Sequence, residues 1–296
     1  MPGGTMKKRK KLIALISTAA LLLGGYFALS PVALANVLLY LPLRVTSYTG
    51  IPAKVFGATG EPVTFASSGN QIHGFYFHKP GSSYTVILHH GQGGNLTAHF
   101  GLAKTMLLAG FSVLIYDYQG FGMSGGNASN KAMLDDGIAA YDFLVNNKHI
   151  EPSKIIQCGF SLGSAVASHV AQHVPCAAVI LISPYTSINE VAVERIPLYR
   201  LYPDFLFPHP DMGSVAFMRS NKIIPVLLIH GANDPIIGAH HAKEFDQMAQ
   251  CPHWLVIEPK AHHGDFSTVF LADEIKAFVQ RTLPHYRPRA TLRAPE

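Results

Sequence analysis

From residue 62 onward the chain alternates short apolar runs with longer amphipathic ones. Eight runs have the length and the β-branched or aromatic content of strands: PVTFA (62–66), IHGFYF (72–77), YTVILHH (84–90), SVLIYD (112–117), KIIQCGF (154–160), AVILIS (178–183), PVLLIH (225–230) and WLVIE (254–258). From the third onward they are nearly continuous in apolar residues, as strands covered on both faces are. Between them Leu134, Ile138, Tyr141 and Val145 fall at helical spacing, as do Ala242, Phe245, Met248 and Ala249. The alternation predicts an α/β fold: an eight-stranded, mostly parallel sheet with helices on both faces. Its crossovers should be right-handed and any ligand should sit at the carboxyl ends of the strands.

The N-terminal pattern is different. Five cations at 7–11 precede 18 uncharged residues, Leu12 to Leu29, and apolar character resumes at VLLYL (37–41). One reading is a signal peptide with ALA at 33–35 as its cleavage site. The other is an uncleaved anchor, since the run reaches the length that spans hydrocarbon. Both keep the cations on the cytoplasmic side and carry the rest of the chain across the membrane. The long apolar run favours the anchor, and with it a membrane-associated, single-pass protein whose α/β domain is extracytoplasmic. Cleavage would make it secreted or periplasmic. The expected organisation is therefore a leader or anchor over 1–41, a Pro/Gly/Thr-rich connecting segment over 42–61 and an α/β domain over 62–283. Within that domain the aromatic, proline-rich stretch 188–224 reads as a small cap. Residues 284–296 lack apolar periodicity and read as a disordered tail.

Composition changes this picture little. A chain of 296 residues with 48% hydrophobic content can bury one large core. The net charge of +5 comes from the two ends: residues 12–280 hold 14 Lys and Arg against 17 Asp and Glu. A nucleic-acid footprint is thereby excluded. Three cysteines make no disulfide framework.

Candidate chemistry starts at GFSLG (159–163), where a strand-like run meets an alanine-rich helix. So sharp a bend needs small residues on both sides, and it projects Ser161 at the mouth of the sheet, as a nucleophile elbow does. A serine nucleophile needs a histidine base and a carboxylate that orients it. Asp234, in GANDPII, follows the seventh run; His262 and His263, in PKAHHGDF, follow the eighth. The order serine, acid, histidine suits this sheet. Adjacent side chains in a loop diverge, and the residues alone leave His262 and His263 as alternatives. The oxyanion would rest on backbone N–H groups: that of Leu162, after the serine, and that of Gln92, in HHGQGGN (89–95). That glycine-rich stretch lacks the lysine and spacing of a phosphate loop. Despite 16 histidines there is no H-E-x-x-H or C-x-x-C, and His240 and His241 read as solvated residues at a helix start, so no metal and no cofactor are expected. Asp117 precedes the serine and reads as a turn cap, and Asp135 and Asp136 read as the first turn of a helix.

LLYLP, ILHHGQGGN, VLIYDYQGFGMSGG, CGFSLGSAVA, LISPYTS, PVLLIHGANDPII and HHGDF, spread from Leu38 to Phe266, together resemble one family. They look like an α/β-hydrolase of the serine aminopeptidase/monoacylglycerol-lipase-like group, most similar to its N-terminally anchored, small-cap members. The resemblance implies Ser161 as nucleophile, Asp234 as acid, and Gln92 and Leu162 as oxyanion donors. It selects His263 over His262, because in such relatives the catalytic histidine stands just before an Asn-Asp or Gly-Asp pair. Two departures are visible: Gln119 where relatives carry arginine in a D-x-R-G turn, and Gln92 in place of asparagine. The function implied is a serine esterase or thioesterase working through an acyl-enzyme. Tyr185, Tyr202, Phe205 and Phe207 suggest an apolar acyl group from a lipid-like small-molecule substrate. A peptidase or amidase of the aminopeptidase type, and a non-catalytic binding protein on the same scaffold, are the alternatives.

Overall fold

A computed structural model describes residues 3–283; the expected tail over 284–296 lies outside the described residues. The strands are β1 (Lys54–Val55), β2 (Ala58–Ser67), β3 (Asn70–His78), β4 (Thr85–His89), β5 (Ser112–Tyr116), β6 (Ile155–Phe160), β7 (Ala178–Ile182), β8 (Val226–Gly231) and β9 (His253–Glu258). They form one sheet in the order β1-β2-β3-β5-β4-β6-β7-β8-β9. The β1–β2, β2–β3 and β3–β5 pairs are antiparallel and the rest parallel. The sheet thus has nine strands where the pattern predicted eight. The addition is β1, two residues long and paired with the start of β2, too short for any period-two pattern to register.

The helices are α1 (Gly3–Ala28), α2 (Pro31–Ala35), α3 (Phe100–Leu108), α4 (Asn130–Asn146), α5 (Leu162–His173), α6 (Ile188–Arg195), α7 (Val215–Ser220), α8 (His240–Met248) and α9 (Thr268–Thr282). Along β4 successive side chains enter opposite layers. Val86 and Leu88 join the core beneath α3 and α9, with Phe100, Met106, Ile275 and Phe278, whereas Ile87 joins the core beneath α4 and α5, with Met133, Leu144 and Val166. Two-faced burial explains why these strands read as unbroken apolar runs. Burying one such side chain contributes roughly 1.5–3 kcal/mol.

Two local readings change. Ser129 caps α4, its Oγ accepting from Ala132 N at 3.1 Å, so the helix starts earlier than its apolar stripe and Asp135 and Asp136 fall in its second turn. Asp136 is fully buried. Residues 42–61 also do more than connect: Leu43 N donates to Gly94 O at 2.8 Å and Val45 N to Gly122 O at 3.0 Å. Within α1, Lys8–Ala28 is long and apolar enough to cross a membrane, with a mean hydropathy of 1.7 and none of it buried inside the protein.

Candidate active site

The register of the parallel strands assembles the site. His89 pairs with Gly159 across β4 and β6, so the loop holding Gln92 and the turn holding Ser161 leave the sheet side by side. β8 and β9 end at Gly231 and Glu258, and Asp234 and His263 follow on the same rim. Ser161 has φ +50° and ψ −119°, a strained conformation for a residue with a Cβ, costing about 1–3 kcal/mol. The tight turn is possible because a Cβ on Gly159 would lie 2.3 Å from Gly163 O, and one on Gly163 2.1 Å from His89 O. Only hydrogen fits at either place.

The structure brings three of the sequence-predicted residues into contact. Asp234 Oδ2 lies 2.7 Å from His263 Nδ1, and His263 Nε2 lies 2.9 Å from Ser161 Oγ. An ionised carboxylate only accepts, so Nδ1 carries the proton; Nε2 is then free to accept from the serine hydroxyl. His262 turns away: its Nδ1 meets Asp265 Oδ2 at 2.9 Å and its side chain is 58% exposed. Ser161 is 6% exposed. Among the described residues the backbone N–H groups of Leu162, first in α5, and of Gln92 have no acceptor.

Asp234 is held from several sides. Its Oδ1 accepts from Ile236 N at 2.8 Å and Ile237 N at 2.9 Å, while His230 Nε2 lies 3.3 Å from Oδ2 and 2.9 Å from Ile237 O. Burial by itself would raise the carboxyl; the hydrogen bonds from His230, His263 and Ile237 N outweigh it and hold it well below the usual carboxylate range. His230 escaped the sequence reading. Its only signal is a histidine near the end of a buried strand, four residues before the acid. Phe160 also escaped it: its ring lies 5.2 Å from the His263 imidazole.

Other sequence candidates lie elsewhere. Asp117 Oδ1 accepts from Leu96 N and its Oδ2 from Tyr48 OH, both at 2.6 Å, so this buried carboxylate ties three segments together. Gln119, in the arginine position, donates from N at 2.7 Å and Nε2 at 2.8 Å to Asp136. Burial pushes the Asp136 carboxyl up to about 6. His241 is fully buried rather than solvated, because Thr186 and Glu194 hold its two ring nitrogens, at 2.8 and 3.2 Å. With His240 it faces Glu194, the one group among the described residues whose donor atoms converge closely enough for a metal. Imidazole and carboxylate there pair with one another directly, and the group has no part in the contacts of Ser161.

An apolar cavity of about 460 Å³ adjoins the site, within the roughly 300–1,000 Å³ of small-molecule pockets. Its lining includes Gln92, in the loop beside the Ser161 turn, and Ile236, whose N–H donates to Asp234; Ser161 and His263 are not among the residues that line it. The aromatics singled out in the sequence do not line it. Tyr185 and Phe207 are buried in packing, Phe205 points outward and Tyr202 stacks on Tyr26; Tyr199 is the aromatic of the wall.

Residues 82–204 match the serine aminopeptidase family, S33 (Hydrolase_4). A Mycobacterium tuberculosis protein, Rv2307c, is 30% identical over 235 residues, covering 78% of this chain and 82% of that protein. Alpha/beta hydrolase domain-containing protein 17C of Xenopus tropicalis is 30% identical over 211 residues, covering 70% of this chain and 64% of its own length. Among solved structures, the Pyrococcus furiosus esterase Pf2001 superposes with a TM-score of 0.66 at 21% identity, covering 82% of this chain and 98% of that one. That likeness establishes the shared fold.

Proposed function

We propose that this chain, which belongs to the α/β-hydrolases of the serine aminopeptidase/monoacylglycerol-lipase-like group, is a serine hydrolase that cleaves an ester or thioester with an apolar acyl group. The observation that carries this reading is the unbroken relay Asp234–His263–Ser161, with contacts of 2.7 and 2.9 Å. His263 Nε2 takes the hydroxyl proton as Ser161 Oγ attacks the carbonyl carbon, and Asp234 stabilises the imidazolium. The oxyanion rests on the N–H groups of Leu162 and Gln92, each such donor contributing about 2.7–4 kcal/mol. His263 then protonates the leaving oxygen or sulfur. Water, deprotonated by the same imidazole, attacks the acyl-enzyme and releases the acid. None of these steps needs a metal or organic cofactor.

The ester is favoured over a peptide by the cavity. Among its described lining residues there is no carboxylate to hold a free amine, and Ile188, Val191, Ile196 and Leu39 suit an acyl chain. With α1 as the anchor, the cationic N-terminus would stay cytoplasmic and the hydrolase domain would face the other side.

The test is fluorophosphonate labelling together with a panel of p-nitrophenyl acyl esters beside aminoacyl amides. Ser161→Ala should abolish labelling, and Ser161→Ala and His263→Ala should each cut ester turnover by about 10³-fold or more. His262→Ala should cost less than about threefold, for want of any contact with the relay. An intact protein that never labels would refute the reading, and preferential cleavage of the amides would replace the ester.

A further inference from the structure

The segment that leaves the anchor is bound into the site. Tyr26, in the last turns of α1, donates its hydroxyl to Leu201 O at 3.0 Å and stacks on Tyr202 at 4.4 Å, both in the cap. Ser30, Pro31 and Ala35 are buried. Gln92, whose backbone N–H faces the reacting carbonyl in the mechanism above, donates from Nε2 to Leu38 O at 2.8 Å. The next two residues of that loop follow suit: Gly93 N donates to Tyr40 O at 3.2 Å and Gly94 N to Leu41 O at 3.1 Å. Tyr40 donates its hydroxyl to Asn130 Oδ1 at 2.7 Å, and Asn130 Nδ2 donates in turn to Pro210 O of the cap at 2.8 Å. Pro31, Ala35, Leu38 and Leu39 line the 460 Å³ cavity together with Ile188, Val191 and Tyr199 of the cap.

Cleavage after Ala35 would therefore remove Pro31 and Ala35 from that wall and the contacts of Tyr26 with the cap. The outer face of the cap beside the end of α1 is apolar as well: Leu198, Leu201 and Phe205 are 59%, 70% and 69% exposed. A membrane helix ending against such a surface seats the surface at the bilayer.

We propose that residues 30–43 are a retained working part of the acyl site, forming one wall of a cavity that receives a long acyl chain directly from the membrane holding α1. This rests on the hydrolase reading above and adds to it the source of the substrate and the residues that measure its chain. Because the same stretch grips the loop of Gln92, filling the cavity changes the choice among acyl lengths.

Full-length protein in phosphatidylcholine vesicles is assayed with p-nitrophenyl acetate and p-nitrophenyl laurate, beside the variants Ala35→Trp and Leu39→Trp. Binding of a fluorescent dodecanoic acid is measured on the same chains carrying Ser161→Ala. Either tryptophan should lower the laurate-to-acetate ratio of kcat/KM at least tenfold and weaken fatty-acid binding by a similar factor. Should the tryptophans unfold the chain, Leu38→Ala, which cannot overpack, carries the comparison with at least a threefold shift. An unchanged ratio with unchanged binding in a folded variant overturns the proposal. The Leu201→Ser/Phe205→Ser pair lies outside the cavity; it should slow laurate turnover on vesicles at least tenfold more than turnover of the ester in detergent micelles. Equal effects in both would overturn delivery from the bilayer. If the wild type hydrolyses neither ester, the hydrolase reading fails by itself, and fatty-acid binding decides this one: sensitivity to the wall substitutions sustains it, and absent or indifferent binding ends it.

Discussion

Gly264 follows His263 at φ +83°, and a Cβ built on it would stand 2.7 Å from Phe160 Cζ and 3.2 Å from Cε2. Gly264→Ala therefore adds two costs. A side chain in the left-handed region costs about 1–2 kcal/mol. The contact, almost 1 Å closer than van der Waals distance, adds about 1–3 kcal/mol of overpacking. Gly69 separates the two costs, since its φ is +79° and a Cβ there would meet nothing within 4 Å. In urea melts Gly69→Ala should lose about 1–2 kcal/mol, and Gly264→Ala about 2–5 kcal/mol. Relief of the clash pushes the Phe160 ring and the His263 loop apart, and a misplacement of about 1 Å at a reacting group costs on the order of 10²-fold. Ester hydrolysis by Gly264→Ala should thus fall about 10- to 100-fold in kcat, with Gly69→Ala unaffected. Should both alanines cost the same and both keep wild-type kcat, the Phe160–Gly264 contact does not hold the imidazole, and the reasoning fails.

Two buried carboxylates should bend the stability curve in opposite directions. Asp136 is raised from 3.8 to about 6, so the native chain keeps a proton the unfolded chain has lost, and stability should fall by about 3 kcal/mol as pH rises from about 4 to 6, then stay level. Asp136→Asn should erase that slope in urea melts across the window; a slope that persists would refute the assignment. Asp234 is depressed, so its contribution is fully present above the unfolded value of 3.8 and is lost as pH falls through the lower folded value. Asp234→Asn should flatten that acid limb, and an unaltered acid limb would contradict it. His230→Phe removes a buried donor to Ile237 O and leaves Asp234 without its second imidazole. It should cost about 1–3 kcal/mol and lower kcat more than it changes KM; unchanged stability and kcat would show that His230 is not a positioning residue.

By itself the sequence determined what depends on local pattern. Two-faced strands need unbroken apolar runs, and eight of the nine strands were legible for that reason; β1 was not, because two residues carry no period. The bend at Ser161 was legible because Gly159 and Gly163 flank it, and the rim positions of Asp234 and of the histidine doublet followed from strand order. The rest depended on the third dimension. Which imidazole of the doublet meets the serine is a matter of loop curvature at Gly264, which turns His263 inward and leaves His262 to Asp265. His241 read as a solvated residue and Asp136 as part of a helix's first turn, because local sequence does not show that a polar side chain is buried. Only the packed partners Gln119, Thr186 and Glu194 could satisfy them inside. Residues 30–43 read as leader and connector because their backbone hydrogen bonds run to a loop about 50 residues away. No local period encodes a partner at that distance, and so the wall beside the Gln92 loop was decided by tertiary structure alone.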